Sequence, residues 1–342
     1  MNSNRVAVFT APRRIELRSE SVPEPGRGEV LVQILACALC TMEQRLWAGA
    51  QHDYPIAAGH EAAGVVAAVP AEMPLGVSVG ERVAIAFLDR CLQCAPCRRG
   101  DTHLCVGKLQ GRKKNTFRRI GGLSDYVAVP AWKLFPMPDE RSFDEIALCE
   151  PLACVVHSVR KADLNFGDNV LVIGCGTMGQ LHLHLARLRG ARVFVSDVDP
   201  EKRRLALAHG ASAAFDAGDV EEGLQAATGG AGADAVFVTF GSRETALQAS
   251  VAVRPGGRII YYGSFPHGVG TNIDAAQLHH QEIVLTGARG QTLEDWQQAT
   301  RLIAAGLIDI RPLISGRYSL DCLSEALDRA IDPSTYRIVV HP

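Results

Sequence analysis

The stretch Val170-Leu171-Val172-Ile173-Gly174-Cys175-Gly176-Thr177-Met178-Gly179 decides the fold. Four apolar, mostly β-branched residues read as a buried strand. A G-x-G-x-x-G pattern follows at once and opens a helix over residues 177–189. Alone, that pattern is weak; a strand before it and a helix after it give it meaning. Gly174 permits the tight turn, Gly176 lets a pyrophosphate approach the backbone, and Gly179 lets helix and strand pack closely. Free N–H groups at the helix start then hold the phosphates. Asp197 lies 18 residues beyond Gly179, at the end of the next strand-like run. A carboxylate there accepts the adenosine ribose hydroxyls and repels a 2′-phosphate, so NAD is expected in preference to NADP. Arg203 and Arg204 follow closely and leave NADP open. Thr177 and Met178 within the motif, and Lys202 after Asp197, complete the expected cofactor set.

On the C-terminal side, strands and helices alternate. Arg192–Ser196, residues 235–239 and residues 257–262 read as strands, and Glu201–His209 as a helix. Such alternation is the signature of a doubly wound parallel sheet. On the N-terminal side, short β-strands dominate: Glu29–Leu35, Gly64–Val69 and Arg82–Ala86, with glycine-rich turns between them. They suggest a compact barrel-like domain. A helix is expected from Asp144 to Lys161, with Pro151 as a possible interruption. The tail reads as a helix through Ala305 and a final strand at Tyr336–Val340. The expected division is 1–148, 149–288 for the dinucleotide-binding domain, and 289–342 returning to the first.

The composition is ordinary for a soluble globular protein: 342 residues, 47% hydrophobic, 21% charged and a net charge of −2. No global attraction to nucleic acid or anionic membrane follows. No apolar stretch is long enough to span a bilayer, and the N-terminus leads straight into a strand. A cytoplasmic location is expected. Ten cysteines in a long chain without a secretion signal point to metal and a reducing compartment. Cys91, Cys94, Cys97 and Cys105 sit three, three and eight apart, inside a lobe of about residues 89–107. Four thiolates at such spacing close a tetrahedral shell around a structural zinc, leaving no open position.

Together these residues resemble the medium-chain, zinc-dependent alcohol dehydrogenases. The resemblance covers nearly the whole chain and keeps the family's order: Cys40 after a strand, Gly59-His60-Glu61-Ala62-Ala63-Gly64-Val65-Val66, the cysteine lobe, Glu150-Pro151-Leu152, and then the glycine fingerprint. Glu150-Pro151-Leu152-Ala153-Cys154-Val155-Val156-His157 is most similar to the polyol and threonine dehydrogenase branch. The resemblance implies a GroES-like catalytic domain, a Rossmann domain, an active site in the cleft between them, and a homodimer or homotetramer joined through the Rossmann sheets.

It also implies the catalytic set. Cys40 and His60 are expected zinc ligands, with Glu61 and Glu150 as carboxylate ligands, direct or exchanging, and Glu43 orienting the histidine. The zinc would lower the pKa of a secondary alcohol or polyol, whose hydride passes to NAD; in reverse, it would polarise a carbonyl. Met42 and Arg45 stand where relatives carry a hydroxyl and an imidazole that relay the alcohol proton. Neither replaces them, so a route through Glu61 or Glu150 is expected. The basic run Arg112–Arg119 is read as a solvated loop, or as a site for an anionic group on the substrate. Trp47 and Met42 are candidates for lining the substrate pocket. Rival readings are a biosynthetic reductase of an aldehyde or keto-sugar, a silent NAD-binding protein on the same scaffold, and a metal-free quinone reductase. The ligand set and cysteine lobe argue against the last two.

Overall fold

The computed structural model describes residues 3–52, 54–70, 76–107, 118–119, 121–270 and 274–342. The chain forms two compact units: one runs to Ala153 and resumes at Thr292, the other is Cys154–Gln291. These divisions fall a few residues beyond 148 and 288; the first lies inside the helix Cys149–Arg160.

The first unit begins with β1 (Asn4–Ala11), β2 (Arg14–Glu20), β3 (Glu29–Ala38), α1 (Thr41–Ala48), β4 (Ile56–Ala57), β5 (Glu61–Ala68) and β6 (Arg82–Ala86). The helix α2 (Ala95–Arg98) lies in the cysteine lobe. Then come β7 (Arg118–Arg119), β8 (Tyr126–Pro130), β9 (Leu134–Pro136), α3 (Phe143–Ala147) and α4 (Cys149–Arg160). Of the basic run, Arg112–Phe117 lie outside the described residues. The helix expected over 144–161 is two helices broken at Leu148. Pro151 does not break it: it sits in the first turn of α4, where a missing N–H costs no intrahelical bond.

The second unit is a regular α/β alternation: β10 (Asn169–Ile173), α5 (Thr177–Leu188), β11 (Arg192–Ser196), α6 (Pro200–Ala208), β12 (Ala213–Phe215), α7 (Val220–Thr228), β13 (Ala233–Val238), α8 (Arg243–Ala252), β14 (Val253–Tyr261), α9 (Ala275–Gln281) and β15 (Val284–Gly287). The tail returns to the first unit with α10 (Leu293–Ala304), β16 (Ile314–Ser319), α11 (Leu323–Ala330) and β17 (Arg337–His341).

In the second unit all six strands are parallel, ordered β12-β11-β10-β13-β14-β15. Leu171, Ile173, Phe194, Val236 and Ile259 share its core. The continuous apolar runs of β10 and β13 follow from burial on both faces. The first unit carries a four-stranded sheet, β2-β1-β4-β7, and a seven-stranded one in which β16-β17-β3-β5-β6-β9 run in order and β8 pairs with β3. Phe9, Ile34, Leu46, Trp47, Ile85 and Leu327 meet in its core.

Candidate active site

Strand register brings the cysteine and the histidine together. β3 and β5 are antiparallel, with Ala38 opposite Glu61. Cys40 follows one strand by two residues and His60 precedes the other by one, so both leave the same end of the pair. Cys40 is also the N-cap of α1, where its N–H donates to Glu43 Oε2 at 3.0 Å. Glu43 Oε1 accepts the Gly59 N–H at 3.0 Å and lies 3.1 Å from His60 Nδ1. Gly59 is required there: its φ is +93°, and an added Cβ would meet the Leu123 nitrogen at 2.5 Å. With Nδ1–H donating to Glu43, His60 keeps its Nε2 lone pair for a ligand.

Two carboxylates complete the cluster. Ligand atoms of His60, Glu61 and Glu150 lie within 4.8 Å of one another, and those of Cys40, Glu43 and His60 do the same. Glu61 is fully buried and Glu150 nearly so. Glu61 Oε1 accepts from Arg337 Nη2 at 2.7 Å. Its other oxygen, Oε2, is buried with no hydrogen-bond partner among the described residues. Burial pushes the Glu61 carboxyl up to about 7; Arg337 opposes this and Glu150 adds to it. Burial also raises the Cys40 thiol, reinforced by Glu61 and opposed by His60. Burial works against the charge on His60, but Glu43 and Cys40 outweigh it and hold the imidazole well above its ordinary value. Arg337 and His60 are the positive groups that oppose these acids. A thiol, an imidazole and an orphaned buried carboxylate oxygen are a donor set that fits zinc.

Arg337 is the member that sequence reasoning missed. It opens β17, which flanks β3 on the side opposite β5, with Val339 across from Ala38. β3 ends at Ala38, so Arg337 reaches past that end to Glu61. An arginine heading the otherwise apolar run Ile338-Val339-Val340 was the available signal. Trp47, expected near the substrate, is instead 4% exposed in the core, and its indole N–H donates to Asp328 at 2.8 Å. Met42 packs partly against the same core.

The four cysteines of the lobe present their sulfurs to one another within 4.8 Å. The Cys94 N–H donates to Cys91 Sγ at 3.3 Å and the Cys91 N–H to Cys105 Sγ at 3.2 Å. Amide donation, chiefly from Cys97, pulls the Cys94 thiol down to about 6, while burial pushes Cys97 up to about 12. Backbone N–H groups aimed at sulfur favour thiolates, the form that binds zinc.

In the second unit the fingerprint has the backbone its glycines call for. Gly174 adopts φ +90°, and its N–H donates to the Ser196 carbonyl at 2.8 Å. A Cβ on Gly179 would lie 1.9 Å from the Gly174 oxygen, whereas one on Gly176 would meet nothing within 4 Å. That open space leaves the backbone at the start of α5 approachable. Thr177 is buried, and Met178 is half-buried with its carbonyl accepting from His182. The Asp197 carboxylate accepts the Cys175 N–H at 2.6 Å and the Asp199 N–H at 2.9 Å, which fixes it beside the glycine turn. Lys202 is half-buried on α6. Phe240, 67% exposed, lies against Gly174 at the end of β13; an exposed aromatic beside the fingerprint is a second feature the sequence did not flag.

Comparison with known proteins agrees with this layout. The alcohol dehydrogenase GroES-like domain matches residues 26–139, and the zinc-binding dehydrogenase domain matches residues 177–305. The chain is 28% identical to L-galactonate-5-dehydrogenase of Escherichia coli (strain K12), over 97% of this chain and 96% of that one. It is 31% identical to L-threonine 3-dehydrogenase of Pyrococcus furiosus, over 99% of both. A zinc-binding dehydrogenase of Sinorhizobium meliloti 1021, crystallised with NADP, superposes with a TM-score of 0.91 at 29% identity over the full length of both chains. Matches that run end to end, on a GroES-like domain joined to a Rossmann sheet, show that the chain belongs to the medium-chain zinc-dependent alcohol dehydrogenases, in the polyol and threonine dehydrogenase-like branch.

Proposed function

We propose that this oxidoreductase moves a hydride between NAD and a secondary alcohol of the polyol or sugar-acid type, at a zinc ion held by Cys40, His60 and one of Glu61 and Glu150, with a coordination position left open for the alcohol. Glu61 Oε2 carries the assignment: a buried carboxylate oxygen without a hydrogen-bond partner among the described residues, beside His60 and Glu150, calls for a cation. Zinc bound there supplies the Lewis acidity that brings an alcohol's pKa toward neutrality, and NAD supplies the hydride acceptor. The chain's own residues do the rest. Glu43 holds the His60 ring in one orientation. Arg337 holds one Glu61 oxygen and leaves the other available. Met42 and Arg45 offer no relay at the expected positions, so whichever of Glu61 and Glu150 is not bound to the zinc would take up the alcohol proton. Cys91, Cys94, Cys97 and Cys105 hold a second, structural zinc.

The name of the Escherichia coli relative supports a polyhydroxy acid as substrate class, and that of the Pyrococcus relative a hydroxyl beside a charged group. Asp197, pinned beside the fingerprint, supports NAD over NADP. The edge strand β15, unpaired on its outer side among the described residues, supports assembly as a homodimer or homotetramer. No helix among the described residues is long and apolar enough to cross a membrane, and the ten cysteines form no disulfide, which supports a cytoplasmic enzyme. Zinc-loaded protein should reduce NAD with at least one member of a panel of polyols, cyclitols, sugar acids, amino alcohols and phosphorylated alcohols. Chelation should abolish the activity and zinc restore it. Turnover indifferent to chelation, or none across the panel, contradicts the assignment.

A further inference from the structure

We propose that Asp216 is a specificity-determining residue for the cofactor: it holds Arg203 in an ion pair and so keeps that charge from a 2′-phosphate. This rests on the dinucleotide site proposed above. β11 and β12 are parallel neighbours, with Ser196 opposite Phe215. Asp197 and Asp216 are the next residue of each strand, so they leave the sheet side by side. The Asp197 N–H donates to the Phe215 carbonyl at 3.3 Å, continuing the ladder by one step.

Arg203 reaches this corner from α6. Its Nη1 donates to the Asp197 carbonyl at 2.6 Å and to Asp216 Oδ2 at 2.8 Å. Its side chain is 21% exposed, so the guanidinium is tucked in rather than solvated. Asp216 is itself oriented, because its Oδ1 accepts the Gly218 N–H at 3.2 Å. Arg204 pairs with Glu201 on the exposed face of the same helix. A guanidinium therefore stands against the backbone of the residue whose carboxylate faces the adenosine ribose.

An unpaired arginine there would bind a phosphate through its forked donors. Asp216 prevents this in two ways: it occupies Nη1, and it cancels the charge. Asp197, Asp216 and Arg203 together carry one net negative charge. Asp216→Asn brings that to zero, and Asp197→Ser with Asp216→Asn makes it positive. NADP binding should follow that order.

Dissociation constants of NAD+ and NADP+, measured by isothermal titration calorimetry on the full-length protein, test this. The NADP+ to NAD+ ratio should fall about fivefold in D216N and about a hundredfold in D197S/D216N, the sizes expected for one and two changes in charge pairing. D216E, which keeps the charge, should hold the wild-type ratio, and adding R203M to either Asn variant should cancel the gain. R203M alone, which removes the pair from its other side, should not favour NADP+. A ratio within about twofold of wild type in both Asn variants, or a gain that survives R203M, overturns the assignment of Asp216. Wild-type protein that binds neither dinucleotide overturns the dinucleotide site itself, and Asp216 falls with it. A Asp216→Asn protein that fails to fold leaves D197S and D197S/R203M to decide: losing Arg203 should then leave NADP+ affinity unmoved if Asp216 pins it, and a loss above fivefold contradicts the pinning.

Discussion

Arg337 Nη2 lies 2.7 Å from Glu61 Oε1, with both side chains almost fully buried, so β17 anchors a carboxylate next to His60. Breaking one partner of such a pair is costlier than removing both, because it strands a charge away from water. R337M should lower unfolding stability by about 3 kcal/mol, and E61Q added to it should recover about half of that loss. Urea unfolding of the two single variants and the double variant checks this; additive losses would mean that the two groups do not act as a pair.

In the proposed site, Glu43 would act on the zinc through His60. It touches the imidazole, caps α1 and holds the Gly59 turn. Its loss should weaken zinc at the His60 site by about ten- to a hundredfold, the usual scale for an outer carboxylate behind a histidine ligand. Competition with a zinc chelator reads the affinity in E43Q. The cysteine-lobe zinc should hold as in wild type, so a uniform loss at both sites would indicate misfolding instead.

The cysteine lobe should behave as a separate, structural metal. Purified wild-type protein should carry two zinc ions per chain, and C97S one, with melting lowered by about 5 °C or more. Elemental analysis and a thermal scan measure both. C97S retaining two zinc ions would show that the lobe does not bind one.

His182 should give the second unit an acid-sensitive core. It is buried, lies 2.7 Å from the Met178 carbonyl through Nδ1 and 2.9 Å from the Ser158 hydroxyl through Nε2, and packs against Phe237 and Tyr262. That arrangement suits the neutral ring: Nδ1–H donates and Nε2 accepts. Burial takes its pKa from 6.5 to about 4. The unfolded chain therefore gains a proton first as the pH falls. Stability is complete above about pH 6.5 and drains away toward pH 4, by about 1.4 kcal/mol per unit and about 3 kcal/mol in all. H182Q removes this titration. Denaturant midpoints for both proteins from pH 7 to about pH 4 should converge on the acid side, and parallel curves would contradict the assignment.

The second unit was legible because period and punctuation agree there. β10, the glycine turn and α5 each announce themselves locally, and β11 falls where its apolar run places it. The break at Leu148 was not legible, since Pro151 drew attention to a position where proline is harmless. Arg337 was invisible for another reason: its partner is 276 positions away, and only the register of β17, β3 and β5 brings the two together. Trp47 misled because an aromatic near Cys40 reads equally as pocket wall or core, and the hydrogen bond to Asp328 that decides between them is not local.

Anomalous diffraction at the zinc edge, from crystals grown with zinc and NAD, tests the central claim most directly. Two peaks per chain are expected, one among the four lobe cysteines and one about 2.0–2.3 Å from Cys40 Sγ, His60 Nε2 and an oxygen of Glu61 or Glu150. A single peak in the lobe, with Cys40 and His60 bare under those conditions, would contradict it.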